Sequence, residues 1–191
     1  MKRFACFCIT ALICASGISA QTTIRNCFAA MPDSLLPYLT KNNRLDCIDF
    51  AENDMKTPVD NLLDGKSHME QLTDNYLLMQ LNKTTTLQMK LLPRETDTLI
   101  CMVKTMQAPE PVSMIKFYTT DWTEIDILLP AMAKDQRQKT KDCLISYSLS
   151  ADSNELTVTQ TPIFTNDREL KPEATNVTKY KWNGLKFLKI S

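Results

Sequence analysis

The composition of the chain excludes several classes of function. Its 191 residues include 22 basic and 22 acidic side chains, and nucleic-acid binding, which needs a concentrated basic surface, is therefore not predicted. The only glycines are Gly17, Gly65 and Gly184, too few for the glycine-rich loops that bind phosphates and dinucleotides. His68 is the only histidine, so a metal site with several imidazole ligands is excluded, and no metal or cofactor is predicted.

The first twenty residues predict export. Lys2 and Arg3 precede an apolar run at residues 4–15 and a small-residue stretch at residues 16–20, which is the pattern of a secretory signal peptide cleaved after Ala20. The apolar run is too short for a stable anchor, and no transmembrane segment is predicted in the mature chain. We therefore expect a single exported α+β domain over residues 21–191, in the periplasm or at the outer surface. Loss of Lys2 and Arg3 gives it a net charge of about −2.

The N-terminus of the mature chain is predicted to be helical. Pro32 ends the first helix, and a second short helix is predicted to begin with Ser34 as its N-cap and Pro37 in its first turn. The apolar residues of the first helix follow the i, i+3, i+4, i+7 spacing of one face. These residues are Ile24, Cys27, Phe28 and Met31.

A third helix is predicted with Asn43 as its N-cap. This start places Leu45, Ile48 and Ala51 on one apolar side. From Val59 onward the apolar residues recur with a period of two, which predicts that the rest of the chain is made of strands.

Two hairpins can be predicted from apolar alternation. In the first, Leu81 is expected opposite Leu87 and Met79 opposite Met89, which requires a loop of three or five residues around 83–85. The second hairpin has a four-residue loop at residues 151–154. Its expected pairs are Leu149 with Leu156 and Tyr147 with Val158.

The dipeptide Asn183-Gly184 predicts a C-terminal hairpin with a two-residue type I′ turn. This turn would place Trp182 opposite Leu185 and Tyr180 opposite Phe187. Lys181 and Lys186 would then meet on the other face, which must be solvated or paired with acids.

The sum of these elements is an α+β fold. Two further strands are predicted at Thr98–Met106 and Met114–Thr119, and the polar segment at residues 131–142 is interpreted as a solvated helix or a connection. We expect an N-terminal helical segment packed on a curved, mostly antiparallel sheet that ends in the Asn-Gly hairpin.

Four cysteines remain after the signal peptide, and none forms a Cys-x-x-Cys motif. Cys101 and Cys143 lie in apolar strands, where a thiol acts as a small hydrophobic group. Cys27 and Cys47 lie on predicted neighbouring helices. They are the one candidate pair for a disulfide, with buried free thiols as the alternative.

Candidate catalytic residues are few, and no catalytic site is assigned. Ser67 precedes His68, but adjacent strand residues point to opposite faces and cannot act as nucleophile and base together. Asp121, Glu124 and Asp126 surround Trp122, and two carboxylates beside an aromatic ring are the minimum that a glycosidase needs. The alternative is a set of solubilising turn residues around a tryptophan that packs on the core.

Several segments resemble a family of secreted Bacteroidales proteins classed as a domain of unknown function. The resemblance covers nearly the whole mature chain and is most specific at residues 27–124. It implies a cell-envelope protein with no established activity and no catalytic residues to carry over. The segments are Met31–Leu39, Asn43–Asp46, Tyr76–Leu78, Lys90–Pro93 and Phe117–Trp122.

The same resemblance implies a modification. Bacteria of this group O-glycosylate exported proteins at Asp-Ser or Asp-Thr followed by an apolar residue, and this pattern makes Ser34 and Thr98 candidate sites. The alternatives are that Ser34 only caps a helix and that Thr98 only begins a strand.

Three classes of function remain. A non-catalytic module that binds an envelope protein or a surface component is favoured, because nucleophile motifs and metal ligands are missing. The second class is a carboxylate-dependent glycan hydrolase that uses Asp121, Glu124 and Asp126. The third is a carrier of a small hydrophobic ligand, with a cavity lined by strand methionines. These are Met79, Met89, Met102, Met106 and Met114.

Overall fold

The chain forms helices near its N-terminus and strands thereafter. A computed structural model describes residues 22–107, 109–129, 143–163 and 175–190. Helices α1 (Ile24–Ala30) and α2 (Lys41–Glu52) flank a 3-10 helix at Asp33–Leu35. The strands are β1 (Val59–Asp60), β2 (Lys66–Leu72), β3 (Tyr76–Asn82), β4 (Thr85–Pro93), β5 (Thr98–Met106), β6 (Val112–Tyr118), β7 (Glu124–Ile125), β8 (Cys143–Leu149), β9 (Glu155–Pro162), β10 (Asn176–Trp182) and β11 (Phe187–Lys189).

These strands form two antiparallel sheets. Strands β1 to β7 follow one another in chain order across a seven-stranded sheet, and β8 to β11 form a four-stranded sheet in the order β11-β10-β9-β8. Short connections between consecutive strands explain the meander order, because a parallel neighbour needs a long crossover. The predicted α+β fold is confirmed.

The helices and the two sheets are stacked in three layers. One apolar core joins both helices to one face of the seven-stranded sheet, and a second core lies between the two sheets. Helix α1 packs on β3 and β4, and α2 packs on β1 and β2. Seven strands span about 29 Å, whereas the 12-residue α2 is about 18 Å long. The helix contacts are therefore concentrated on β1 to β4, although Ile100 of β5 and Tyr118 of β6 are buried in the same core.

Helix α1 confirms the predicted apolar face. Ile24, Cys27 and Phe28 are buried on it, and Met31 is buried just beyond its end. The helix begins after Thr23, whose side chain accepts a hydrogen bond from the Asn26 N–H. It ends before Pro32 as predicted, because proline disfavours the helical conformation in the residue that precedes it.

The prediction of Ser34 as a helix N-cap is wrong. Ser34 is the middle residue of the 3-10 helix, which Pro32 precedes and Leu36 ends. An α-helix begun at Ser34 would need helical backbone at Leu36, and the ring of Pro37 disfavours that conformation. Leu36 instead has φ −136° and ψ 73°, so the chain turns toward α2.

The start and the buried face of α2 also differ from the prediction. Thr40 is the N-cap, and Asn43 is the third helical residue of a capping box that it forms with Thr40. Of the predicted apolar side, Ile48 is buried and Ala51 is half-buried against the same core. Leu45 is exposed, and Arg44 takes the buried position beside Cys47.

In the first predicted hairpin the apolar residues share one face as predicted, but the pairing register is shifted by two residues. Leu77 lies opposite Met89 and Met79 opposite Leu87, whereas Met79 was expected opposite Met89. Asn82 pairs with Thr85 after a bulge, so the loop has two residues. The Asn82 side-chain oxygen accepts from the Thr84 N–H at 2.9 Å and stabilises this tighter turn.

The four-stranded sheet confirms one register and corrects another. Tyr147 lies opposite Val158 and Leu149 opposite Leu156, as predicted. At the C-terminal hairpin Trp182 lies opposite Phe187, whereas Leu185 was expected there and is exposed.

The C-terminal turn is centred on Gly184 and Leu185, because the Asn183 N–H bonds to the Lys186 carbonyl at 3.1 Å. Gly184 has φ +94° at the first central position, where glycine is favoured. Lys181 therefore lies opposite Leu188 and Glu155, and its predicted meeting with Lys186 is wrong.

Candidate interaction surface

The three predicted catalytic carboxylates lie around the connection from β6 to β7, and two of them have structural partners of their own. Asp121 accepts a hydrogen bond from the Thr119 hydroxyl, which lowers the pKa of this exposed carboxyl. Glu124 forms an ion pair with Lys116 at 2.8 Å, and Asp126 is exposed. These contacts are typical of turn and surface carboxylates, which favours the second interpretation.

Trp122 anchors this connection to α1. Its indole N–H donates to the Cys27 carbonyl at 3.2 Å, and its ring lies 5.4 Å from that of Tyr118. The backbone of Trp122 has φ +68°, which is uncommon for a residue other than glycine. The tryptophan thus packs against the core of the helix layer rather than forming an exposed platform.

The two candidate glycosylation residues differ in environment. Ser34 is exposed on the 3-10 helix, and the neighbouring Asp33 bonds to Arg44 at 2.7 Å. Thr98 is half-buried at the first position of β5, after the Arg94–Asp97 ion pair. Their modification stays a prediction.

Cys27 and Cys47 lie in the same core, on α1 and α2, and both are thiols in the structure. Burial raises the pKa of the Cys27 thiol. Burial and the nearby Asp46 charge raise the pKa of Cys47 to about 12. Thiols in this state are poor nucleophiles, and the disulfide between them stays a prediction.

Ser67 and His68 point to opposite faces of β2, as the sequence predicts. The Ser67 hydroxyl is buried and donates to the Leu81 carbonyl at 2.6 Å. His68 is half-buried and its Nε2 lies 2.6 Å from a Glu70 carboxylate oxygen. Among the described residues, no group of three or more His, Cys, Asp or Glu side chains is arranged to hold a metal ion.

The five strand methionines do not line one cavity. Met79, Met89 and Met102 are buried in the core between the helices and the seven-stranded sheet. Met106 and Met114 are exposed on the surface. The methionines therefore divide into core residues and surface residues, which removes the main observation behind the carrier interpretation.

An exposed apolar strip lies where the helix layer ends. Met106 on β5 pairs with Val112 on β6, and Met114 lies two residues further along β6. The side chains are 57%, 43% and 54% exposed, respectively. Alternation along the strands places them on the same face as Met102 and Tyr118, which belong to the helix-side core. We call Met106, Val112 and Met114 the β5–β6 strip.

A groove of about 170 Å³ continues the β5–β6 strip toward the helices. The 3-10 helix forms one wall with Ser34 and Leu35, and strands β5 and β6 form the other. We call it the Tyr118 groove. Its strand residues are Met102, Lys104, Met114, Lys116 and Tyr118.

Tyr118 is the unusual member of this groove. The side chain is 1% exposed, and its buried hydroxyl has no hydrogen-bond partner among the described residues. Burial raises the pKa of Tyr118, and the Lys116 charge partly opposes that shift. The hydroxyl is therefore a protonated donor at neutral pH.

A protein-family model matches about the same part of the chain as the sequence resemblance does. The model for the family described as "Protein of unknown function (DUF3256)" matches residues 15–187. The chain belongs to the DUF3256 family. Among curated proteins none matches the chain.

One solved structure has the same fold as this DUF3256 chain. It is a domain of an uncharacterized protein from Porphyromonas gingivalis W83, with a TM-score of 0.67 and 22% sequence identity. The alignment covers 87% of this chain and 96% of that chain. At this identity the similarity shows the fold alone.

Sequence reasoning named Ser34 and the three methionines of this surface and missed the rest. Lys104, Lys116 and Tyr118 were not singled out. The available signal was the alternation within Thr98–Met106 and Met114–Thr119, which leaves a lysine on the apolar face of each strand.

Proposed function

We propose that this chain is exported and acts as a non-catalytic binding or assembly module of the cell envelope, which docks a partner on the β5–β6 strip. The exposure of Met106, Val112 and Met114 beside a core that is otherwise covered supports this proposal. Apolar side chains grouped on one open face are typical of an interaction site.

The size of the strip is sufficient to contribute to binding. Each of these side chains is about half exposed, so covering it stabilises a complex by roughly 1 kcal/mol. Association costs several kcal/mol in lost translational and rotational freedom. Three such side chains can offset part of that cost. The rigid strands that hold them add little ordering cost of their own.

The proposed location depends on residues 1–20. These residues lie outside the described part of the chain, so the signal peptide is supported by its sequence pattern alone. No helix in the described residues has both the length and the apolarity to cross a membrane. Export is therefore tested separately from binding.

The binding proposal is tested by capture of partners with a matched pair of variants. Tagged mature protein is mixed with the envelope fraction of the cells that produce it, as wild type, as Met114→Ser and as Val177→Ser. Met114 and Val177 are both 54% exposed strand residues, but Val177 lies on β10 in the other sheet.

We expect a partner that binds the wild type and Val177→Ser and that is lost with Met114→Ser. A partner that binds all three proteins equally would contradict docking on the β5–β6 strip. Circular dichroism of the three proteins controls for a loss of folding.

A further inference from the structure

The geometry points to the Tyr118 groove as the binding site for an aspartate or glutamate side chain in the partner segment that covers the β5–β6 strip. This inference rests on the proposed docking function and names the chemistry of the partner. It joins a donor without a partner, two lysines and an apolar surface in one arrangement.

The Tyr118 hydroxyl supplies the first argument. Buried polar groups are almost always hydrogen-bonded, because an unpaired one loses its bonds to water without replacement. Tyr118 lines the groove, and its hydroxyl has no acceptor. Its proton is retained because burial raises its pKa. A ligand that carries an acceptor would satisfy this group.

The lysines decide which kind of acceptor fits. Lys104 forms no ion pair with a described residue. Lys116 forms one with Glu124, and its Nζ lies 2.8 Å from a carboxylate oxygen of that residue. Lysine and a protonated tyrosine are donors, so the groove offers several donors, of which Lys104 carries a positive charge that no described carboxylate pairs, while Glu124 and Asp126 offset the charge of Lys116. A carboxylate accepts from all of these groups, and charge-assisted hydrogen bonds are the stronger ones.

The apolar surroundings decide what the carboxylate is attached to. Successive cross-strand pairs on this face are Met106 with Val112, Lys104 with Met114 and Met102 with Lys116. Pairs two residues apart along a strand are separated by about 6.8 Å, and an extended peptide spaces its own i and i+2 side chains by the same distance. An acidic residue with apolar residues two positions away therefore matches the groove and the β5–β6 strip together.

The test uses two peptides that differ only in the carboxylate. They are acetyl-Leu-Ala-Glu-Ala-Leu-amide and the same peptide with glutamine in place of glutamate. Each is titrated to millimolar excess into mature protein labelled with ¹³C at the methionine methyl groups. Met102 and Met114 report on the groove, and the buried Met79 and Met89 serve as internal controls.

We expect the Met102 and Met114 signals to shift while those of Met79 and Met89 stay in place. The glutamate peptide should bind about tenfold more tightly than the glutamine peptide, a difference of one charge-assisted contact. That advantage should decrease with added salt. Equal affinities for the two peptides, or no shift at either reporter, would overturn the inference.

Two tyrosine variants separate the role of the hydroxyl from its effect on folding. Tyr118→Phe should lower the affinity for the glutamate peptide, while the lysines retain part of the preference for glutamate over glutamine. Tyr147→Phe removes another buried hydroxyl that has no partner among the described residues, in the core between the sheets, and should leave both affinities unchanged. An unchanged affinity for the glutamate peptide in Tyr118→Phe would contradict a role for this hydroxyl.

The peptide titration and the capture experiment test separate claims. Loss of the partner with Met114→Ser together with equal peptide affinities would retain the docking function and reject the carboxylate. No loss of the partner together with a tenfold peptide preference would retain the carboxylate site and reject the β5–β6 strip as the main interface.

Discussion

The side chain of Gln88 on β4 accepts a hydrogen bond from the backbone N–H of Leu149 on β8 at 3.1 Å. The amide of Gln88 also donates to the Tyr76 hydroxyl at 2.8 Å. Ser113 on β6 makes a similar contact with β8. Its hydroxyl accepts from the N–H of Tyr147, two residues before Leu149, at 3.0 Å. Side chains of the seven-stranded sheet thus satisfy the N–H groups at this edge of the four-stranded sheet. Edge pairing by a partner strand is disfavoured here, which favours docking on the β5–β6 strip.

Replacement of Gln88 by methionine should destabilise the protein by about 1–3 kcal/mol, because it leaves the Leu149 N–H buried without an acceptor. The free energy of unfolding in urea measures this effect. Gln71→Met on the exposed part of β2 is the control and should change stability by less than about 0.5 kcal/mol. Equal effects of the two substitutions would show that Gln88 does not join the sheets.

We expect folding to require the forked shape of the Arg44 guanidinium and not only its charge. Its buried guanidinium donates to the carbonyls of Phe28, Met31 and Leu39 and to Asp33. Arg44→Lys keeps the charge but cannot reach all of these acceptors, so we expect a loss of about 3 kcal/mol or more.

Asp33→Asn is the control for the charge of this contact. Asp33 is mostly exposed, and its replacement should cost about 0–1 kcal/mol. A loss as large as that of Arg44→Lys would mean that the ion pair, rather than the carbonyl contacts, holds the helices together. Urea unfolding of both variants measures the difference.

The raised pKa of Cys47 should make stability depend on pH in the alkaline range. The folded thiol has a pKa of about 12, and an unfolded cysteine has a pKa of about 8.5. The folded state therefore keeps a proton that the unfolded state loses, so stability is full below about pH 8.5 and decreases above it. At pH 10 the loss reaches at most about 2 kcal/mol.

The measurement compares urea unfolding of the wild type and Cys47→Ala at pH 7.5 and pH 10. We expect the stability advantage of the wild type to shrink at pH 10, since only its Cys47 titrates. An advantage that stays constant would contradict a free thiol. If Cys47 forms the predicted disulfide with Cys27, the advantage should instead grow at pH 10, because only the variant then carries a titrating Cys27 thiol, whose pKa burial raises.

Export and modification are both tested by the intact mass of the protein from the cells that produce it. We expect the mass of residues 21–191, and any excess should map to peptides that contain Ser34 or Thr98. The mass of all 191 residues would contradict cleavage after Ala20. A mass equal to the bare mature chain would dismiss both modification sites.

The sequence was sufficient for the fold class and for the faces of the strands. Apolar alternation fixes which side of a strand is buried, so Met79 and Leu87 share a face in spite of the wrong register. Helix α1 could be predicted because its apolar spacing and Pro32 agree. Local pattern determines these features, and no distant contact changes them.

Two of the three predicted hairpin registers failed, and for one physical reason. Asn82 and Asn183 each lie just before a turn, and each side-chain oxygen accepts from an N–H two residues later. In both hairpins this contact moves the pairing by two residues. The turn is therefore set by the asparagine side chain, which apolar pattern does not report.

The buried face of α2 and the groove depended on distant residues. Arg44 is buried because three carbonyls from an earlier part of the chain surround it, and hydrophobic periodicity assigns an arginine to the surface. Lys104 and Tyr118 approach one groove through the pairing of β5 with β6. The linker between these strands does not specify that register.

Site-specific photo-crosslinking in the producing cells shows whether a partner covers the β5–β6 strip. A photoreactive phenylalanine is placed at Met114 or, as control, at Val177, which is equally exposed in the other sheet. We expect a discrete crosslinked species from position 114 and none from position 177. The same species from both positions, or from position 177 alone, would contradict this expectation.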